Sequence, residues 1–189
     1  MYYGQPLFTG EYISDHFDYK KRELLNQAQH LIEDNNSEMT EDQLANKIIS
    51  HASMKPLAID FDDVDKAITP AKIFVRDYER SVEIDGVQVV FTYPFKGDSC
   101  LFRIQPTTKS SPLHGIVSNG SVSIGVKCHN DIEEIRREMK AQNGLLRKYV
   151  EWQRADIERY NESLRNYVSD VVREKQKYVD GIKRLKDQL

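Results

Sequence analysis

The residues that could do chemistry sit in a few short stretches. The segment AIDFDDVD, Ala58 to Asp65, packs four aspartates into a short span, and paired carboxylates can hold Mg2+. A nuclease of the PD-(D/E)xK kind would need an acidic pair with a lysine at strand ends. EIDGVQVV offers Glu83 and Asp85, but no E-x-K follows. The aspartate run therefore reads as an acidic, solvated strand end. No Ser/His/Asp or Cys/His grouping has a recognisable local signature, so catalysis would need a dispersed active site. Cys100, His114, Cys128 and His129 lack the paired ligand spacing of a structural zinc site. Cys128 and His129 are adjacent and would point to opposite faces of a strand. No metal and no cofactor are expected.

The stretch FKGDSCLFRIQPT, Phe95 to Thr107, has a single glycine, Gly97. A phosphate loop needs several, so that backbone N–H groups converge on the anion. The stretch reads instead as a turn at Lys96-Gly97-Asp98, a strand from Leu101 to Ile104 and an exit loop. Phe102 and Ile104 would share one face of that strand. Lys96, Asp98 and Arg103 stand out as a candidate ligand or partner surface.

Composition limits the function classes. The chain has 189 residues, 39% hydrophobic and 30% charged, with a formal net charge of −3. As a whole it is no polyanion binder. Residues 129–189 hold 14 Lys+Arg and 12 Asp+Glu, leaving −5 for the remainder. Arg136, Arg137, Lys140, Arg147, Lys148, Arg154 and Arg159 are interleaved with Tyr149 and Trp152, a pattern that could follow a phosphate backbone. Glu133, Glu134, Glu138, Glu151 and Glu158 lie among them at helical-neighbour spacing, which favours a salt-bridged surface over a nucleic-acid one. Two cysteines, no basic leader and no apolar run of ~20 residues point to a cytoplasmic protein with reduced thiols and no membrane span.

The elements that must position these residues fall into three regions: helical over 1–55, antiparallel β over 56–128, and long helical or coiled-coil over 129–189. The expected fold class is α+β. Ser14 and Asp15 can cap a helix burying Phe17, Leu24, Leu25, Ala28, Leu31 and Ile32, ended by the turn formers Asp34 to Ser37. TEDQ reads as a capping box from Thr40 to Gln43, opening a helix that buries Leu44, Ile48 and Ile49. Asp85-Gly86 and Asn119-Gly120 each suit a type I′ hairpin turn, giving two hairpins of a small sheet or sandwich.

In the last region, Ile157, Asn161, Leu164, Val168, Val171, Lys175, Tyr178, Ile182, Leu185 and Leu189 recur at heptad spacing. An upstream seam of Ile132, Ile135, Met139 and Leu146 is offset by four residues through Val150, a stutter. Breaks at Asn143-Gly144 or Asn161-Glu162-Ser163 would give a helical hairpin; without them the helix is a single long one. The downstream seam should pair with the Asp131–Tyr160 segment folded back or with a second chain. Trp152 is expected to be buried as a packing anchor between the helices and the sheet.

Several stretches together resemble a known module. VVFTYPFKGDSCLFRIQPT supplies Pro94, Phe95, Gly97, Asp98, Leu101, Phe102, Arg103, Pro106 and Thr107. YVEWQRADIERYNESL supplies Val150 (in place of Leu), Glu151, Trp152, Asn161 and Leu164. Over roughly residues 45 to 180 the chain resembles the N-terminal regulatory or assembly module of bacterial multidomain defence proteins. Those proteins carry a C-terminal restriction-like PD-(D/E)xK nuclease. The resemblance implies a non-catalytic sensing or assembly role in an anti-phage system, acting on a nuclease effector in an adjoining domain or a partner. It also implies a proline after Leu164 and a helix break near Ser163, but Arg165 stands there. The competing readings are a free-standing coiled-coil adaptor and an enzyme with a dispersed site.

Overall fold

The computed structural model describes residues 3–34, 39–77 and 80–188. It is α+β, with three helices and a six-stranded antiparallel sheet. Its residues group into two compact units, Met1–Ile13 with Pro56–Arg154, and Ser14–Lys55 with Ala155–Leu189. The second grouping joins the ends of the chain, and the helical region 129–189 is divided between the two units.

The first unit holds the sheet. Its strands are β1 (Gln5–Leu7), β2 (Ala58–Ile59), β3 (Asp65–Asp77), β4 (Arg80–Lys96), β5 (Leu113–Ser118) and β6 (Ser121–Cys128). They run in the order β1-β5-β6-β4-β2, and β3 also pairs with β4. Odd-numbered residues of β4 face one side. Val89, Tyr93 and Phe95 are buried there beside Val122 and Ile124 of β6. The other side carries Gln88, Thr92 and Ser123, with the last two hydroxyls 2.8 Å apart. This is the one-sided burial that an antiparallel sheet tolerates.

Asp85-Gly86 is not a turn. It lies within β4, with Ala71 opposite Gly86 and Lys72 opposite Asp85. The glycine answers a close approach instead: a Cβ there would sit 2.6 Å from the Cys128 carbonyl oxygen and 2.9 Å from Ile73 Cγ2. β3 and β4 pair from Asp65↔Thr92 to Asp77↔Arg80, so the connection between them precedes Asp85-Gly86 in the chain. Asn119-Gly120 does join β5 to β6, with Ser118 opposite Ser121. Only Gly120 has a positive φ, 75°, so the turn is not type I′, which needs positive φ at both central residues.

The third helix, α3 (Ile132–Asp187), is continuous. Asp131 Oδ1 caps it, accepting from the backbone N–H groups of Glu133 and Glu134, both at 2.9 Å. Acidic residues in its first turn and Arg184 and Lys186 in its last match the helix dipole. Neither expected break occurs. Gly144 costs about 1 kcal/mol against Ala, which the burial of Leu146, Tyr149 and Val150 in the next turns offsets. Asn161 does not cap a new helix. Its amide group donates to the Met54 carbonyl at 2.9 Å and accepts from the Met54 N–H at 3.0 Å.

The second unit contains α1 (Ile13–Asp34), α2 (Glu41–Ala52) and the later part of α3. The Thr40–Gln43 capping box is formed. Leu24, Ala28, Leu44, Ala45, Ile48 and Ala52 make one core with Tyr160, Leu164, Val168, Val171 and Val172. The first half of the downstream seam therefore packs on α1 and α2 and not on a folded-back Asp131–Tyr160 segment. The N-terminal helices are amphipathic and supply apolar faces of their own, which the heptad spacing of α3 could not reveal. The side chains of Leu31, Ile32 and Leu189 lie outside the described residues.

Candidate interaction site

The stretch Phe95 to Thr107 lines a cleft but is not the strand expected. Ser99–Arg103 is a 3-10 helix capped by Asp98, whose carboxylate accepts from the Cys100 N–H at 2.9 Å. The helical turn puts Leu101 and Phe102 together in the core, where strand alternation would have separated them. Phe102 meets Phe95 edge-on at 5.0 Å and Phe8 at 5.5 Å. Asp98 is thus committed to the local fold, and Lys96 is an exposed residue at the end of β4. Arg103 does line a polar cleft of about 460 Å3 with Cys100, Ser99 and the Asn119-Gly120 turn. The three residues read as one surface are therefore separated in role, and of them Arg103 lines this cleft.

The anchor of α3 on this unit is Tyr149. Trp152 is only partly buried and packs edge-on against Tyr149 at 5.4 Å. Tyr149 is 2% exposed and stacks on Phe8 at 5.0 Å. Its hydroxyl donates to the Ser110 and Ser111 carbonyls at 3.0 and 3.1 Å and accepts from the Ser110 N–H at 3.2 Å. One residue past Trp152, Gln153 is buried and donates to the carbonyls of Leu101 at 2.8 Å and Ile104 at 3.1 Å. A polar residue on the buried stripe is the signal that marks Gln153, but its partners are about 50 residues away in sequence.

The other candidates for chemistry are used locally. Asp60 accepts from the N–H groups of Asp62 and Asp63 in a turn, and Asp85 pairs with Lys72 at 2.6 Å. Burial pushes the Cys128 thiol up, with Glu134, Glu138 and Asp131 adding to it, so it is not an activated thiolate. Among the described residues, no group of three or more His, Cys, Asp or Glu could hold a metal. Arg136, Arg137 and Arg159 pair with Glu133, Glu138 and Asp156. Those pairs are at i,i+3 or adjacent positions, where i,i+4 was expected. Arg147 lies over the Phe61 ring, its Cζ 3.9 Å from the ring centroid. No described helix is long and apolar enough to cross a membrane.

Of the assembly residues, Ile157, Leu164 and Val168 are fully buried and Val171 is nearly so. Tyr178, Ile182 and Leu185 are exposed, so the stripe continues past the core that covers its first half.

An apolar groove of about 380 Å3 in the first unit was not foreseen. Its floor is Val89 and Phe91 of β4 with Ile135 and Met139 of α3. Ile68 of β3 stands opposite Val89 and Lys66 opposite Phe91, so both share the floor's face. Ile132 flanks the start of α3. Ile68 is 62% exposed and Ile132 57%. Lys66, Arg136 and Lys140 line the groove, and Asn143 lies along it. Farther along the same face Phe61 covers Tyr93 at 5.3 Å. A helix is ~10 Å across and strands lie ~4.8 Å apart, so α3 cannot cover this width of sheet alone. The apolar signals were present in the sequence, but only the register Ile68↔Val89 and the continuity of α3 bring them together.

Comparison with protein-family models, curated proteins and solved structures finds no match for the chain.

Proposed function

We propose that the chain is a non-catalytic interaction module that holds a protein partner in the groove between β3, β4 and the start of α3. What carries this reading is a pair of large apolar side chains, Ile68 and Ile132, more than half exposed beside a buried apolar floor. A fully buried isoleucine is worth ~1.5–3 kcal/mol over an exposed one, so a partner covering both gains substantially. The committed aspartates and the protonated Cys128 leave these residues without an evident reacting group. The module works in the cytoplasm, where its two thiols stay free. Its resemblance to regulatory modules of bacterial defence proteins makes a nuclease effector the first partner to try. The test is affinity purification from the source cells with wild type, Ile68→Asp and Ile116→Asp. Ile116 is also exposed, at 42%, but lies on the opposite face of the sheet. A partner retained by wild type and Ile116→Asp but lost by Ile68→Asp supports the reading. Retention by Ile68→Asp contradicts it.

A further inference from the structure

We propose that the groove takes an acidic, amphipathic helix of the protein partner. Its apolar face would rest on Ile68, Ile132 and Met139, with its carboxylates toward Lys66, Arg136 and Lys140. This rests on the groove being the partner site and adds the partner's chemistry. Three cations line an otherwise apolar groove. Lys66 and Lys140 make no ion pair among the described residues, and Lys66 sits over the Phe91 ring at 5.3 Å. Among the described residues Arg136 bonds only the exposed Glu133, at 2.9 Å, and exposed pairs of this kind exchange readily.

The occupant is helical because the groove lies over the face of the sheet. β3 bonds only β4 among the described residues, but its outer edge points along the plane of the sheet and not into the groove, so a segment resting on the floor must satisfy its own N–H and C=O groups. Helix-in-groove docking meets that need. A small lipid or metabolite fits less well, since such ligands are usually enclosed over most of their surface. The chain's own exposed stripe does not fit. Around Tyr178, Ile182 and Leu185 the sequence carries Lys177, Lys183, Arg184 and Lys186 against Asp180 and Asp187, which would repel the basic rim.

The probe is a pair of designed amphipathic peptides, ~18 residues long so that each can span about five helical turns. They share one apolar face and differ only in flanking Glu or Lys. Methyl NMR of the isoleucine- and methionine-labelled chain reads the site. The Glu peptide should shift Ile68, Ile132 and Met139, with the Lys peptide about tenfold weaker, as for two or three exposed pairs turned repulsive. The Lys66→Glu, Lys140→Glu double variant should reverse that preference. Equal shifts by both peptides would overturn the acidic partner while leaving the groove a partner site. No shift of these methyls by either peptide, in a chain with a folded spectrum, would overturn both. Phosphatidylserine vesicles that shift them when the Glu peptide does not would replace the peptide with a membrane surface and overturn the proposal.

Discussion

Tyr149→Phe removes a single oxygen from the residue that anchors α3 to the first unit. The ring stack on Phe8, 5.0 Å between centroids and 5° between planes, is kept. What is lost is the hydroxyl's bond from the Ser110 N–H at 3.2 Å and its donation to the carbonyl of Ser110 or Ser111. One hydroxyl proton serves one carbonyl at a time, so two bonds are at stake. Each is worth ~0.5–1.5 kcal/mol net. Ser110 and Ser111 are exposed, so water re-solvates their backbone groups and no orphan penalty is added. The expected loss is about 1–3 kcal/mol. The one tryptophan of the chain, Trp152, packs on Tyr149, so urea unfolding followed by its fluorescence reports this unit. A midpoint equal to wild type, with an unchanged slope, would show that the hydroxyl bonds contribute nothing and that aromatic packing alone holds the connector.

Three further outcomes are expected. Burial, with Tyr167 adding to it, pushes the Tyr160 phenol up to about 12, so the second unit should hold full stability below pH ~10. It should lose stability between pH ~10 and ~12, where the unfolded chain ionises and the folded one does not. Tyr160→Phe keeps the 4.4 Å stack on Phe17 and removes a buried hydroxyl that has no hydrogen-bond partner among the described residues; urea melts by circular dichroism should show that alkaline slope abolished and no loss at pH 7. Val171→Asp should destabilise by roughly 3 kcal/mol or more by burying a charge, whereas Tyr178→Asp should stay within ~0.5 kcal/mol, because Val171 is 9% exposed and Tyr178 66%. The isolated chain should cleave neither DNA nor RNA with Mg2+ or Mn2+, and cutting that disappears in Asp60→Ala or Asp85→Ala would refute this.

Local patterns were legible in the sequence where a few neighbouring residues decide the outcome. The Thr40–Gln43 capping box, the Asn119-Gly120 hairpin and the apolar stripe of α3 are of this kind. Asp85-Gly86 misled because glycine serves turns and close approaches alike, and only the Cys128 carbonyl beside it decides which. Leu101 and Phe102 looked like alternating strand residues because the Asp98 cap, which starts a 3-10 helix, is indistinguishable in sequence from a turn aspartate. Trp152 lies on a helix that must cover the sheet, yet the helix rotation turns Tyr149 and Gln153 inward and leaves Trp152 partly buried. The cover of the first half of the downstream seam was not legible for a different reason. Periodicity shows that a face is buried but not which element buries it, and here the cover comes from the other end of the chain. The groove was illegible for the same reason, since Ile68 and Ile132 are 64 residues apart.

The most direct test of the groove as a partner site is site-specific photo-crosslinking in the source cells. A benzoylphenylalanine replaces Ile68 in one variant and Ile116, on the opposite sheet face, in another. A single discrete higher-mass adduct is expected from position 68 and none from position 116, with the position 68 adduct lost when Ile132→Asp is added. No adduct at position 68, or the same adduct from both positions, would contradict the assignment of this groove.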